Sequence, residues 1–205
     1  MRDRLRAGAA IYNDGYYHAA HDAWEERWLE LEDGTDDELL LHGLIQYTAA
    51  VYHARNRNWE GAVGLAESAL EYLSGLPADY RDVRLEPIRR ALEMLADDPS
   101  ILERRSPPPI EHEGSAPKLA ALDLDATAVA AVVLAEELGF DPEPVDRART
   151  YARRDLEAGD DDSRFISLLF DFVREDDHRG LVYRRLSQHA ERRQAREADV
   201  DGLFE

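Results

Sequence analysis

The sequence predicts an all-α protein: a helical bundle of antiparallel hairpins followed by a second helical segment. Three observations carry this reading. Apolar residues recur at helical rather than alternating spacing in nearly every segment. The interruptions are short and turn-like, at Asp14-Gly15, Asp33-Gly34 and Gly75-Leu76-Pro77. One stretch rich in proline and glycine, 98–118, divides the pattern into two sets.

The first helix is expected at about 3–13, where Asp14-Gly15 ends it. The second spans about 16–32 and the third about 36–56. Their link, Asp33-Gly34-Thr35, is short enough to set the two antiparallel. Helices at about 59–74 and 82–97 complete a domain over 1–98, and Pro99 closes it. Residues 99–117, with Pro107-Pro108-Pro109, Gly114 and Pro117, read as a linker or long loop. A C-terminal helical extension occupies 118–205, with helices at about 125–138, 143–158, 162–175 and 179–198. Asp125 is the expected N-cap of the first of these, and Gly139 with Pro142 ends it. The run Asp160-Asp161-Asp162 before Ser163 suits the positive end of the next helix. It lacks the glycine and glutamate spacing of a calcium loop. Leu203-Phe204 is expected to dock on the body or on another subunit. The joins at 14–19 and 57–62 each place an aromatic and an alanine early in the following helix, a faint tetratricopeptide-like repeat.

Composition narrows the function classes. Asp and Glu number 44 against 25 Lys and Arg, for a formal net charge of -19, and Lys118 is the sole lysine. Acid excess with arginine in place of lysine is a halophilic pattern, like that of proteins from salt-loving archaea. At about 1 M salt the Debye length is only about 3 Å, so crowded carboxylates repel one another little. The charge argues against nucleic acid as a partner, because a phosphate-binding surface needs a basic patch. Arg184, Arg185, Arg192, Arg193 and Arg196 alternate with Glu191 and Glu197 and read as a solvated helix face. With no cysteine, disulfides and thiolate sites are excluded. No apolar run approaches the ~20 residues of a membrane span, and the charged start Met1–Arg6 is not a leader, so a cytoplasmic location is expected. Phosphate loops, dinucleotide fingerprints and serine elbows are absent, so no nucleotide cofactor is expected.

The chemistry-bearing residues gather in the second and third helices. His21 and Glu25 lie four apart, on one side of a helix. On a wheel of ~100° per residue, Tyr17, Ala20, His21, Trp24, Trp28 and Leu31 form one apolar stripe, with Glu25 at its margin. In the third helix His42, Gln46, Ala49 and His53 line up within ~60° of one another, surrounded by apolar residues. Gly43 and Ala49 leave room for a neighbouring helix. A buried imidazole needs a partner, so the two stripes are expected to meet, with Trp24 and Trp28 as a dry wall. Two readings follow. In one, Glu25 and Gln46 orient the histidines in a structural hydrogen-bond network. In the other, His21, Glu25 and His53 bind a divalent metal, zinc or manganese, with Asp22, His42 and Gln46 as outer groups.

These residues also carry a resemblance. Asn13-x-Gly15-x-Tyr17, Ala20-His21-Asp22-x-Trp24-Glu25-x-x-Trp28, Gly43-Leu44-Ile45-Gln46, His53 and Asn58-x-x-Gly61-Ala62 together resemble the Domain of Unknown Function family 309 over roughly residues 8–75. The family is all-helical and without an established activity. The resemblance implies that His21, Glu25 and Trp28 are its hallmark, which has been suggested to bind metal. Three positions depart from its pattern. Asp22 stands where the family usually has Glu, His42 where it often has Gln, and Arg57 where it often has Gly. The first functional expectation is a metal-binding domain, with metal-assisted hydrolysis as its chemistry. The second is a non-enzymatic helical interaction module or scaffold, with a protein or a second copy of the chain as partner.

Overall fold

The computed structural model describes residues 1–201, and the Leu203-Phe204 pair lies outside the described residues. The chain is all-α, with one very short strand pair, and divides into two compact units, Met1–Leu122 and Asp123–Glu205.

The first unit holds α1 (Arg2–Asn13), α2 (Asp22–Trp28), α3 (Asp36–Arg55), α4 (Trp59–Ser74) and α5 (Leu85–Asp97). Helix α3 is its centre, with Leu40, Leu41, Leu44, Tyr47, Ala50 and Val51 fully buried. Thr35 caps it, its hydroxyl accepting from the Glu38 N–H at 3.4 Å, and Asp36, Asp37 and Glu38 occupy the positive first turn. Its most extensive packing is against α4. The close approach passes over Gly43, where a Cβ would lie 2.5 Å from Leu73. That is the role expected of this glycine, with α4 as the neighbour.

Helix α2 is shorter than the 16–32 expected. Residues 17–21 form tight turns, and at the far end the Glu30 and Leu31 N–H groups reach back only three residues, to Arg27 and Trp28. Such i→i+3 winding is common at helix ends. The tryptophans fix what remains. Trp24 is fully buried, and its Nε1 donates to the Arg4 carbonyl at 2.9 Å. Its ring fills the space beside Gly8 of α1. Trp28 donates to Glu38 of α3 at 2.7 Å. Tertiary contacts thus override the length that periodicity suggested.

Between α3 and α4 the chain turns through Arg57, whose φ of 59° is left-handed. Asn58 then caps α4, its Oδ1 accepting from the Gly61 N–H at 3.2 Å. After α4 comes a hairpin of β1 (Asp79–Tyr80) and β2 (Val83–Arg84), with Tyr80 opposite Val83. Its two loop residues, Arg81 and Asp82, have φ of 50° and 61°, the conformation a two-residue hairpin needs and glycine or asparagine usually supplies. Arg81 and Tyr80 both hold Asp37 on α3, the guanidinium at 2.6 and 2.7 Å and the phenol at 2.9 Å. This pairing explains why α5, expected from 82, begins at Leu85.

Beyond α5 a 3-10 turn (Pro99–Glu103) leads into a long loop that belongs to the first unit. Asn13 holds the loop with three hydrogen bonds. Its amide donates to the Ile110 and Pro117 carbonyls and accepts from the Ile110 N–H. The buried hydroxyls of Tyr12 and Tyr47 lie 2.6 Å apart, within reach of the Pro108 carbonyl. His112, 1% exposed, bridges to Val83 and Ser115. Lys118 donates to the Asn13 carbonyl and pairs with Asp14 at 3.1 Å.

The second unit holds α6 (Leu124–Glu137), α7 (Pro142–Glu157), α8 (Arg164–Arg174) and α9 (Arg179–Asp201). Helix α6 is capped by Asp123, which accepts from the Ala126 N–H at 3.1 Å. Asp125, the expected cap, instead sits inside the first turn, because the helix starts earlier than its apolar pattern. Asp141 and Ser163 cap α7 and α8. Buried Arg179 closes the end of α8, donating to the Phe172 carbonyl at 2.9 Å and the Val173 carbonyl at 3.3 Å.

Candidate metal centre

The turns before α2 and the first residue of α2 bring three donor side chains together. Ligand atoms of His18, His21 and Asp22 all lie within 4.8 Å of one another, and this is the one such group among the described residues. His21 Nε2 is 2.9 Å from Asp22 Oδ1. Sequence neighbours within a regular helix do not face each other. These two meet because His21 is the residue at which the turns give way to α2. Tyr17 anchors the preceding turn, packing edge-on against Tyr12 at 5.1 Å and under the Arg55 guanidinium at 5.5 Å. His18 is then set edge-on against His21 at 4.8 Å and against Tyr52 of α3 at 4.9 Å.

Exposure differs across the cluster. His18 is exposed, while His21 and Asp22 are half-buried. His21 Nδ1 is buried without a hydrogen bond of good geometry. The hydrogen bond to Asp22 holds the His21 imidazole above its ordinary range. Burial opposes this, and the charges of Asp22 and Glu25 reinforce it.

The remaining sequence candidates are distributed around this group. Glu25 is exposed on α2, and its charge reaches His21. His53, near the end of α3, accepts a 2.6 Å hydrogen bond from Asn58 Nδ2 on its Nδ1 and touches Tyr52 edge-on at 5.9 Å. Neither is among the three convergent donors. Gln46 is half-buried on α3. His42 belongs to a separate network. Its Nδ1 donates to Glu38 at 3.1 Å, and its ring stacks on Tyr72 at 3.7 Å and lies 4.6 Å from Trp28. Glu38, only 7% exposed, accepts from Trp28, His42 and the Gly34 N–H. Burial pushes the Glu38 carboxyl up, but these donors outweigh it and hold the group below its ordinary range. Trp24 faces α1 and Trp28 faces Glu38 and His42.

Sequence reasoning missed His18, Glu38 and Tyr72. The first two carried a signal: His18 lies three residues before His21, and Glu38 four before His42, both facing spacings. Tyr72 reaches His42 only through the packing of α4 on α3, which no local spacing reveals.

Two imidazoles and a carboxylate thus lie together on the first, helical unit. Within it, residues 5–65 match the family described as Domain of unknown function (DUF309), a match that lies inside the first unit and contains all three donors. No curated protein matches the chain. No helix among the described residues is long and apolar enough to cross a membrane.

Proposed function

We propose that the first unit is a divalent-metal-binding domain, with His18, His21 and Asp22 as its primary ligands. The observation that carries the reading is the convergence of these three donors within 4.8 Å. A tetrahedral zinc with ligands at about 2.0–2.1 Å spaces them about 3.3 Å apart, so small side-chain rotations close the set. Imidazole with carboxylate suits zinc or manganese. The buried Nδ1 of His21, without a hydrogen bond of good geometry, adds support.

Three protein ligands leave coordination open, and an ion so held supplies the Lewis acidity used in metal-assisted hydrolysis. In this reading Glu25 acts beside the site as a second carboxylate or as a proton acceptor. His53 stands outside, its Nδ1 already engaged by Asn58.

The test is elemental analysis of the full-length protein purified without chelator, with thermal melts on adding Zn²⁺ or Mn²⁺. The reading expects near-stoichiometric metal and a melting temperature that rises with metal concentration. Both should be lost in His18→Ala/His21→Ala. Metal-free protein whose melt ignores both ions overturns it. That outcome favours the second reading, an interaction module, which the exposed Leu29 at 71% on the end of α2 supports.

A further inference from the structure

Of the three convergent donors, two hold each other: His21 Nε2 and Asp22 Oδ1 meet at 2.9 Å. His18 has no such partner. Its imidazole makes no hydrogen bond or ion pair among the described residues, and its ring makes two edge-on contacts, with His21 at 4.8 Å and with Tyr52 at 4.9 Å. The backbone beside it is held, because Ala19 and Ala20 are fully buried. The exposed His18 side chain is therefore the donor whose rotamer depends most on its ring contacts.

Tyr52 is placed differently. It lies within regular α3, where a long aromatic side chain keeps two χ1 rotamers. It is 38% exposed, and its hydroxyl makes no hydrogen bond among the described residues. What it offers is its ring, set edge-on against His18 and, at 5.9 Å, against His53. A metal-ligating histidine is normally oriented by a hydrogen bond from its second ring nitrogen. At His18 a ring contact stands in that place.

We propose that Tyr52 is a positioning residue of the metal site: its ring, packed against His18, selects the His18 rotamer that converges on His21 and Asp22. The inference rests on the metal reading given above. Ordering a free imidazole costs conformational entropy, so a site that orders it before the ion arrives binds the ion more tightly. The contact belongs to the ring and not to the hydroxyl, so phenylalanine should serve in its place.

The test titrates Zn²⁺, and separately Mn²⁺, against a competing chelator in the full-length protein, unaltered and as Tyr52→Ala and Tyr52→Phe. Tyr52→Ala should weaken binding about three- to tenfold, the worth of one edge-on aromatic pair. Tyr52→Phe should bind as the unaltered protein does. The metal-free melting temperature should barely move in either variant, as for most surface substitutions. An affinity loss matched by an equal loss of metal-free stability would be structural and overturns the proposal. Proton NMR of the unaltered, metal-free protein should show nuclear Overhauser contacts between the His18 and Tyr52 rings. Their absence overturns the proposal whatever the variants do. So does a Tyr52→Phe loss as large as that of Tyr52→Ala, which would assign the effect to the hydroxyl. If the unaltered protein binds metal and Tyr52→Ala binds it equally well, this inference alone falls. Unaltered protein that binds neither ion overturns the metal reading and this inference with it.

Discussion

The indole of Trp24 occupies the space that a side chain at Gly8 would need. A Cβ at Gly8 would lie 2.3 Å from the ring. This contact fixes α2 against α1 and thereby the turn that presents His18 and His21. Gly8→Ala must displace a fully buried tryptophan, an overpacking change that costs about 1–3 kcal/mol. The urea midpoint should fall accordingly. An unchanged midpoint would show that Trp24 can shift freely.

Arg57 invites the opposite change. Its left-handed φ of 59° disfavours any residue with a Cβ by about 1–2 kcal/mol. Its ion pair with Glu103 is exposed and contributes little. Arg57→Gly should therefore raise the thermal midpoint, with a net gain of about 1 kcal/mol after the added backbone entropy of the unfolded chain. A lowered midpoint would mean that the Glu103 contact matters more than the backbone.

What the sequence made legible follows from what local spacing can encode. The helical class, the junctions at Asp14-Gly15 and Asp33-Gly34 and the passage of a helix over Gly43 all rest on periodicity and turn chemistry. The hairpin at Asp79–Arg84 did not show, because Arg81 and Asp82 stand where the turn normally announces itself with Asn-Gly. His21 was singled out with Asp22 as an outer group, but their direct pairing and the approach of His18 were not. Its partner is its neighbour Asp22, a pairing that helical spacing does not announce. His42 and His21, placed together by two wheels, sit in different networks because Glu38, buried between Trp28 and His42, takes His42 as its partner.

Glu38 gathers three donors, so Glu38→Leu should leave the Trp28 and His42 N–H groups unsatisfied and destabilise by about 2–3 kcal/mol. The pH dependence has a definite sign. The Glu38 carboxyl is held below its ordinary value, so its contribution is fully present above the unfolded pKa and is lost as pH falls through the folded one. Urea melts at a series of acidic pH values should show a shallower loss for the variant. Parallel curves would exclude Glu38 as a source of acid sensitivity.

His112 works in a higher window. Burial pushes its imidazole below the ordinary value of 6.5, Arg6 adding to this and Glu113 opposing it. Unfolding therefore takes up a proton below that value, and stability declines as pH falls from there through the lowered folded pKa. His112→Leu should flatten this part of the stability curve. A slope that survives the substitution assigns the effect elsewhere.

Salt supplies a further check. With a net charge of -19, repulsion among carboxylates should weaken the fold in dilute buffer, and screening should relieve it. Melting temperature is expected to climb steadily with potassium chloride. A flat response would indicate that the ion pairs already neutralise the surface.

Lys118 carries the chain's only ε-amine, and it closes the long loop onto the end of α1 through Asn13 and Asp14. Acylating reagents that scatter over most proteins thus have one side chain to find here. The side chain is exposed, so its labelling, followed by mass spectrometry, marks this one place on the surface. The same scarcity leaves amine-directed cross-linkers almost blind to the rest of the surface.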